Sequence, residues 1–479
     1  MKAVVVLMMI VWGAGCATTR LGAPVVPRIS AEVLAARLAE AELLADRGCY
    51  LCLKEAAAAY ALLLDLSDDP ALVRKALENN LMMVLREIEL RLPDSGAREA
   101  AAQLQSRVTE DYTPYMMALD SFATPLVIGG VPSAEIRQRR EVRVKLATEL
   151  EKGWPASAMK AYFYLAMALS AGMASELKPQ LEAILTTHSQ DLSLKYRMQA
   201  FLPLFSVAAS RELIGQETGF GEVHFLLGQR AVLDANLANA HRELARAREL
   251  LPDSAAISLV LANVTLAYAR YAEALALFER VVAALPEDAE AQIGRAKALS
   301  YLRRHSDAIA VLDELLQDLQ NNPGEKYYWR AWNRLRLDQA QAAYDDAMAA
   351  LNAMRNNEVY RLAGIASYSL NRLLESRDYF ENALRMNGAD CDAQRYLGLI
   401  DSADRSWKAA FARFTDAVGC YDQALARLAA ELADHEKDIT GLSNALIGSV
   451  RAEIKEAEAL RSAAATNATI ASKNAGDRP

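Results

Sequence analysis

Small residues recur every 34 positions in the central part of this chain, and this spacing limits the fold more than any other feature. Ala262 and Ala296 follow Gly228 at this interval, and Gly398 follows Gly364. A fixed period of this length indicates one supersecondary unit repeated in series, in which no unit can bury its apolar face alone. We therefore predict that the central part is a solenoid whose units stack on their neighbours.

Other positions keep the same interval and define the unit. The two clearest series are Ala240, Ala274 and Ala308, and Leu244, Phe278 and Leu312. Together with Leu227-Gly228 and Ala410-x3-Phe414, they resemble the tetratricopeptide repeat, whose pattern is W-x2-L-G-x2-Y, A-x3-F and P. This resemblance implies an all-α fold, an α-solenoid of helix hairpins (helix A, then helix B) in a right-handed superhelix. It also implies a concave groove that binds protein or peptide partners.

The rest of the chain divides around these repeats. We predict degenerate repeat-like helix pairs at 30–215, the repeats at 216–421, capping helices at 422–463 and a disordered tail at 464–479. Capping helices are expected because a solenoid must end in a polar outer face. The tail is small, polar and aperiodic, which is typical of disorder. An apolar stretch with Gly and Pro at 123–132 is expected to be a loop packed on a helix pair, or an exposed contact to a membrane or a partner.

The start of the chain has the features of an export signal. The apolar run at 3–12 is far shorter than the ~20 residues of a membrane-spanning helix, and small residues follow it. Gly13-Ala14-Gly15-Cys16 resembles the end of a bacterial lipoprotein signal, although that family usually has Leu where Gly13 stands. The resemblance implies a signal peptide at 1–15, a lipidated Cys16 and a tether at 16–29. By the same resemblance, Ala17 after the cysteine implies that the protein is anchored at the outer membrane and faces the periplasm. An ordinary cleaved signal with an incidental cysteine is the alternative.

Composition and motifs exclude several function classes. The net charge of −8 argues against a general nucleic-acid binder, which would show a basic stripe. The five histidines have no zinc-binding spacing, and no Gly-rich phosphate loop follows a strand. We therefore predict no metal, no cofactor and no catalytic residue, and we expect that the chain is not an enzyme.

The remaining cysteines form two pairs. Cys49-x2-Cys52 is compatible with a short-loop disulfide, a redox pair or two small core residues. Cys391 begins helix A of the last clear repeat and Cys420 lies near the end of its helix B. Antiparallel helices bring these ends together, so we predict a disulfide in an exported protein, with two buried free thiols as the alternative.

The groove is the surface that the family resemblance assigns to partner binding. In that family, positions 2, 5, 9, 12 and 13 of helix A line it. Transferred to this sequence, they give Phe225, Asn263, Lys297, Tyr301, Trp329, Trp332, Asn333, Arg361, Tyr368 and Arg395. Aromatic and Arg side chains dominate binding energy at interfaces, so we expect one continuous stripe that suits a peptide or helix with apolar anchors and a carboxylate. The alternative is that the aromatic residues at 327–332 are simply packed inside the solenoid.

These observations favour one function and leave two alternatives. The favoured hypothesis is a non-catalytic lipoprotein of the cell envelope that acts as a protein-protein interaction scaffold or adaptor through its groove. A small-molecule or transporter-associated binding lipoprotein would instead hold its ligand between the N-terminal helices and the repeats. A cell-wall lytic enzyme is the third class, because helical lytic enzymes have weak sequence signatures.

Overall fold

A computed structural model describes residues 30–123, 133–153, 157–173, 191–200, 206–317, 323–438 and 440–476. The regular secondary structure of these ranges consists of 22 α-helices, which confirms the predicted all-α solenoid. None of these helices combines the length and apolar character needed to cross a bilayer. The predicted signal peptide, Cys16, the tether and the loop at 124–132 lie outside the described residues.

Nine described helices precede the repeats. They are α1 Ala31–Asp46, α2 Tyr50–Leu64, α3 Pro70–Leu90, α4 Ala97–Gln105, α5 Thr113–Ala123, α6 Ser133–Gly153, α7 Ala158–Ser170, α8 Leu192–Gln199 and α9 Val207–Gln216. Their buried side chains form a core that extends to Val223 and Leu227 of the first repeat unit, and in this core Leu77, Leu81 and Phe163 are fully enclosed.

The helices that follow alternate as helix A and helix B of six units. They are α10 Gly221–Leu233, α11 Leu237–Leu250, α12 Ala255–Ala267, α13 Tyr271–Ala284, α14 Ala289–Tyr301, α15 His305–Leu315, α16 Pro323–Arg336, α17 Ala340–Ala353, α18 Asn357–Ser369, α19 Leu373–Met386, α20 Cys391–Ala403 and α21 Trp407–His435. One more helix, α22 Asn444–Ala475, packs against α21.

Each A–B turn contains one residue in the left-handed region of backbone space. These residues are Ala235, Ala269, Arg303, Asp338, Asn371 and Arg405, and successive members are 34, 34, 35, 33 and 34 residues apart. The fourth unit is therefore displaced by one residue. Ala343, which is fully buried, is the structural counterpart of Ala308.

The small residues of the repeat are required where the two helix axes of a unit approach closely. A Cβ at Gly228 would lie 2.6 Å from Cγ of Leu244, and one at Gly398 would lie 2.8 Å from the ring of Phe414. Both distances are shorter than a van der Waals contact, so a larger side chain would separate the helices. The 34-residue spacing thus arises from helix packing.

The N-terminal helices are joined to the second and third units by the end of α3. The hydroxyl of Ser254 donates to the carbonyl of Leu90 at 2.6 Å. The backbone N–H of Ala255 donates to Arg91, whose guanidinium pairs with the Asp288 carboxylate at 2.5 Å. The first turns of α12 and α14 therefore lie against the N-terminal helices.

The C-terminal end differs from the prediction. No boundary exists at 421, because α21 continues as one helix from Trp407 to His435. The tail predicted to be disordered is helical to Ala475. Ala464, Ala468 and Ala471 are buried against α21. The prediction was wrong because alanines at helical spacing form a narrow apolar stripe that small, polar composition conceals.

Candidate protein-binding surface

Four aromatic rings connect three successive units. Tyr271 stacks on Tyr301 with ring centroids 4.7 Å apart, and Tyr301 meets Trp329 edge to face at 5.6 Å. Trp329 in turn contacts Trp332 at 5.8 Å. We call this set, Tyr271, Tyr301, Trp329 and Trp332, the aromatic ladder. The side chain of Tyr301 is 44% exposed, so the ladder reaches the surface.

Cationic side chains border the ladder. The Lys297 ammonium lies 5.9 Å from the ring centroid of Trp329 and pairs with Glu325 at 2.5 Å. The Arg336 guanidinium lies 4.8 Å from the centroid of Trp332. Such positions favour cation–π attraction. The surface therefore combines apolar area with two cations, of which Lys297 is already paired with an acidic neighbour.

Arg361 adjoins the ladder through Tyr328. Tyr328 meets Trp329 edge to face at 5.6 Å. Burial raises the pKa of Tyr328, the nearby Glu358 raises it further, and the charge of Arg361 opposes this shift. The Arg361 guanidinium is also 3.8 Å from the Asp390 carboxylate. Because Arg361 remains partly exposed, it offers a cation beside the ladder.

The predicted single stripe divides into two groups. Tyr368 contacts Tyr396 at 5.1 Å, and Phe380 stacks on the same Tyr396 ring at 4.9 Å. The Arg395 guanidinium lies 4.3 Å from the Tyr396 ring centroid. Tyr368 and Arg395 are half-buried and belong to a separate aromatic cluster of the fifth and sixth units rather than to the ladder.

Two predicted groove residues are internal. The side chain of Phe225 is 6% exposed and packs in one core with Tyr50 and Leu90 of the N-terminal helices. Asn333 is fully buried, and its amide donates to Ser300 Oγ at 2.8 Å and to the Trp329 carbonyl at 2.7 Å. The prediction was wrong for both, because position 5 of the first unit faces the N-terminal helices and Asn333 bridges two units.

Asn263 is exposed, and its amide donates to the Glu290 carboxylate at 3.0 Å. It therefore lies at the surface in the same unit as Tyr271, the first residue of the ladder. Sequence reasoning missed Tyr271 and Tyr328 as members of the surface. The signal that could have found Tyr271 is an aromatic residue at the start of a helix B, where the usual repeat pattern has no aromatic position.

The C-terminal helix pair reaches the ladder from the opposite end of the solenoid. We call α21 and α22 the arm, and we call the described residues 436–438 and 440–449, which include the start of α22, the arm tip. Leu442 and Leu446 pack against the core that the first three units share. The hydroxyl groups of Ser449 and Tyr271 are 3.5 Å apart. The arm tip therefore touches one end of the ladder.

Both cysteine pairs are disulfide-bonded. Cys391 and Cys420 have Cα atoms 5.3 Å apart and link the two helices of the sixth unit. Cys49 and Cys52 are bonded at the start of α2. Their sulfurs and a carboxylate oxygen of Glu217 lie within 4.8 Å of one another. Disulfide sulfurs are not thiolates and do not ligate metal, and Arg47 pairs with Glu217 at 2.5 Å, so this group stabilises the α1–α2 turn.

Comparison with known proteins identifies the repeated unit. Residues 266–335 match the family model described as tetratricopeptide repeat. No curated protein sequence matches the chain.

Solved structures of this architecture resemble parts of the chain at low identity. YrrB, described as a TPR protein with an unusual peptide-binding site, is 17% identical, with 37% of this chain and 91% of YrrB covered and a TM-score of 0.32. TTC0263, a thermophilic TPR protein in Thermus thermophilus, is 20% identical. The match covers 37% of this chain and 96% of TTC0263, with a TM-score of 0.31. A chain of the APC/C hetero-tetramer Cut9–Hcn1 is 14% identical. The match covers 90% of this chain and 96% of that chain, with a TM-score of 0.39.

Proposed function

We propose that this chain, whose central helix pairs are tetratricopeptide repeats, is a non-catalytic scaffold or adaptor of the cell envelope that binds a protein partner. The repeat fold suggests protein–protein interaction. The observation that carries the proposal is the aromatic ladder, whose rings touch across three units and reach the surface. A side chain needed only for packing would be enclosed, whereas Tyr301 at the centre of the ladder is 44% exposed.

The chemistry of this surface suits a helix or peptide with apolar anchors and an acidic group. Aromatic rings bury a large area at low cost in conformational entropy, which is why they dominate interface energies. The Arg361 guanidinium beside the ladder can form two parallel hydrogen bonds with a carboxylate. A partner segment that presents Leu or Phe side chains and one Asp or Glu therefore matches both features.

The double variant Trp332→Ala, Arg361→Ala tests this surface. Loss of one buried aromatic anchor costs about 2–4 kcal/mol of binding free energy, so we expect capture of the partner to weaken by at least about thirtyfold. Co-purification from solubilised membranes measures it, with circular dichroism and melting temperature as the checks on folding. The matched control is Leu374→Ala, since Leu374 is 79% exposed on α19. Unchanged capture by a folded double variant contradicts the proposal.

The envelope location is supported by the sequence before residue 30 and by the two disulfides. Disulfides persist in oxidising compartments such as the periplasm and are rare in the cytosol. Two pairs of cysteines are bonded in the described residues, one in each half of the chain. A lipid on Cys16 followed by a short tether would hold the solenoid at the membrane surface.

The Cys16→Ser variant tests the lipid anchor. Each buried methylene of an acyl chain contributes ~0.8 kcal/mol, and several chains together anchor a protein firmly. We expect the variant to move from the membrane fraction to the soluble periplasmic fraction, or to retain its signal peptide. Fractionation and electrophoretic mobility measure the two outcomes. A variant that fractionates and migrates as the wild type does would show that Cys16 is not lipidated.

A cleft at the junction of the N-terminal helices and the repeats favours a second candidate, small-molecule binding. Its volume is about 840 Å³, within the usual range for ligand sites. Ile88, Leu92 and Leu285 supply apolar lining, while Arg98 and Glu287 supply charge. Native mass spectrometry of protein purified from its own envelope should reveal a bound molecule that Leu285→Trp removes. A mass equal to that of the processed chain with its covalent lipid, and nothing more, contradicts this candidate.

A further inference from the structure

The arm is long enough to span several units. Helix α21 has 29 residues and α22 has 32, which correspond to lengths of ~43 and ~48 Å at 1.5 Å per residue. The two helices run antiparallel, so the C-terminal half of α22 lies beside the start of α21 in the sixth unit. The arm tip lies at the opposite end of the pair, against the core that the first three units share.

The two ends of the arm are held very differently. At its base, Ala464, Ala468 and Ala471 are buried with Phe414, and the Cys391–Cys420 disulfide ties the start of α20 to α21. At the tip, Leu442 and Leu446 are only half-buried, and the hydrogen bond that joins Ser449 to Tyr271 of the repeats is a long one.

Between base and tip, the outward faces of both helices are exposed. Few buried apolar contacts and solvent-exposed hydrogen bonds characterise segments that open locally at low free-energy cost. The base is therefore fixed, and the tip is the part of the arm that can release.

The beginning of α22 has the chemistry that the ladder selects. Leu446, Val450 and Ile454 are four residues apart and share one face of α22, and Leu442 lies just before the helix begins. Glu453 follows on the neighbouring face. Burial and the Tyr271 and Tyr328 hydroxyl groups raise the pKa of Tyr301, and the carboxylate of Glu453 adds to this shift.

We propose that the arm is a latch, in which residues 442–460 occupy the end of the aromatic ladder as an intramolecular substitute for the partner. This inference rests on the proposed function and specifies it further. The partner segment is an amphipathic helix with Leu, Val or Ile four residues apart and an acidic residue beside them. Such a helix displaces the tip and swings the arm away from the first three units, while the base stays in place.

Competition by the arm sets the affinity. When only a fraction of the molecules is open, the apparent affinity falls by that fraction. A tip that is closed in about nine molecules of ten therefore weakens partner binding about tenfold. Substitutions that open the tip should therefore raise the affinity for the partner about tenfold, although they add no new contact to it.

The test uses the full chain and a fluorescent synthetic peptide of residues 442–460. The opening variant is Leu446→Asp, which places a charge in the tip contact. The matched control is Ala445→Asp, because Ala445 is exposed one residue earlier. We expect the peptide to bind Leu446→Asp about tenfold more tightly than the wild type or the control. Adding Tyr301→Ala to Leu446→Asp should abolish this gain.

Three results would overturn the latch. Equal peptide affinity for the wild type and Leu446→Asp means that the tip does not compete. A gain that survives Tyr301→Ala means that the peptide binds elsewhere. A wild-type protein that sediments as a dimer, and becomes monomeric in Leu446→Asp, means that the tip belongs to a second copy.

The latch and the proposed function fail separately. If the peptide behaves as expected while the Trp332→Ala, Arg361→Ala variant captures its partner normally, the ladder accepts the arm but is not the partner site. If capture is lost in that variant but the peptide shows no preference for Leu446→Asp, the partner site stands and the latch is wrong.

Discussion

Replacing Arg86 with methionine should lower the free energy of unfolding by about 3–5 kcal/mol, the usual cost of removing one member of a buried ion pair. The side chain of Arg86 is fully buried on α3. Its guanidinium lies 3.9 Å from the Tyr196 ring centroid and donates to the Tyr162 hydroxyl at 2.6 Å. It also lies 3.5 Å from the Glu89 carboxylate. Methionine fills similar volume but leaves the Tyr162 hydroxyl and the Tyr196 ring without this cation, whereas Glu89 keeps its pair with Arg197 at 3.1 Å.

The loss of stability in the Arg86→Met variant should depend on pH because of Glu222. Burial raises the pKa of this fully enclosed carboxyl, and the Arg86 charge opposes that shift. Without Arg86 the pKa of Glu222 should rise further. A carboxyl with a raised pKa in the folded state contributes stability below its unfolded pKa and loses it as pH rises through the folded value. The variant should therefore lose less stability at pH 5 than at pH 8.

Chemical denaturation at both pH values measures this effect. The matched control is Arg74→Met, which removes an exposed guanidinium from the same helix and should change stability by no more than about 0.5 kcal/mol. Equal losses in the two variants would show that the buried cation does not support the N-terminal helices. A larger loss of stability at pH 5 than at pH 8 would show that Glu222 is not the group whose pKa rises when Arg86 is removed.

Removing the Cys391–Cys420 disulfide should cost about 3–4 kcal/mol on the chain-entropy model, since it closes a loop with a sequence separation of 29. Replacing both cysteines with serine should lower the melting temperature under oxidising conditions. The Cys49–Cys52 pair provides the comparison, because its separation of only 3 predicts a smaller effect, about 1.5 kcal/mol.

The measurement is thermal unfolding with and without reductant. Reductant should lower the melting temperature of the wild type because it breaks both disulfides. In the Cys391→Ser, Cys420→Ser variant it can break only the Cys49–Cys52 disulfide, so the decrease should be smaller. A wild type that yields both residues as free thiols in non-reducing peptide mapping, when isolated from the periplasm, contradicts the bond.

The fold was predictable because helix packing fixes the spacing of small residues. Gly228, Gly364 and Gly398 stand where a Cβ would overlap Leu244, Phe380 or Phe414. This requirement depends only on neighbours within one unit and therefore leaves a periodic record in the sequence. The same local geometry brought Cys391 and Cys420 within reach of each other.

The arm and the burial of Asn333 were not predictable in the same way. Both depend on contacts between units or between ends of the chain, such as Ser449 with Tyr271, for which no period exists. Phe225 was misplaced for a related reason. The first unit has the N-terminal helices as a neighbour, so a position that faces the groove elsewhere is covered there.

The most direct measurement of the central claim is site-specific photo-crosslinking in cells. A photoreactive phenylalanine at Trp332 reports on the ladder, and one at Leu374 reports on an exposed site away from it. Partner binding through the ladder predicts a crosslinked adduct of defined mass from position 332 and none from position 374. An adduct from 374 alone, or equal adducts from both positions, would contradict it.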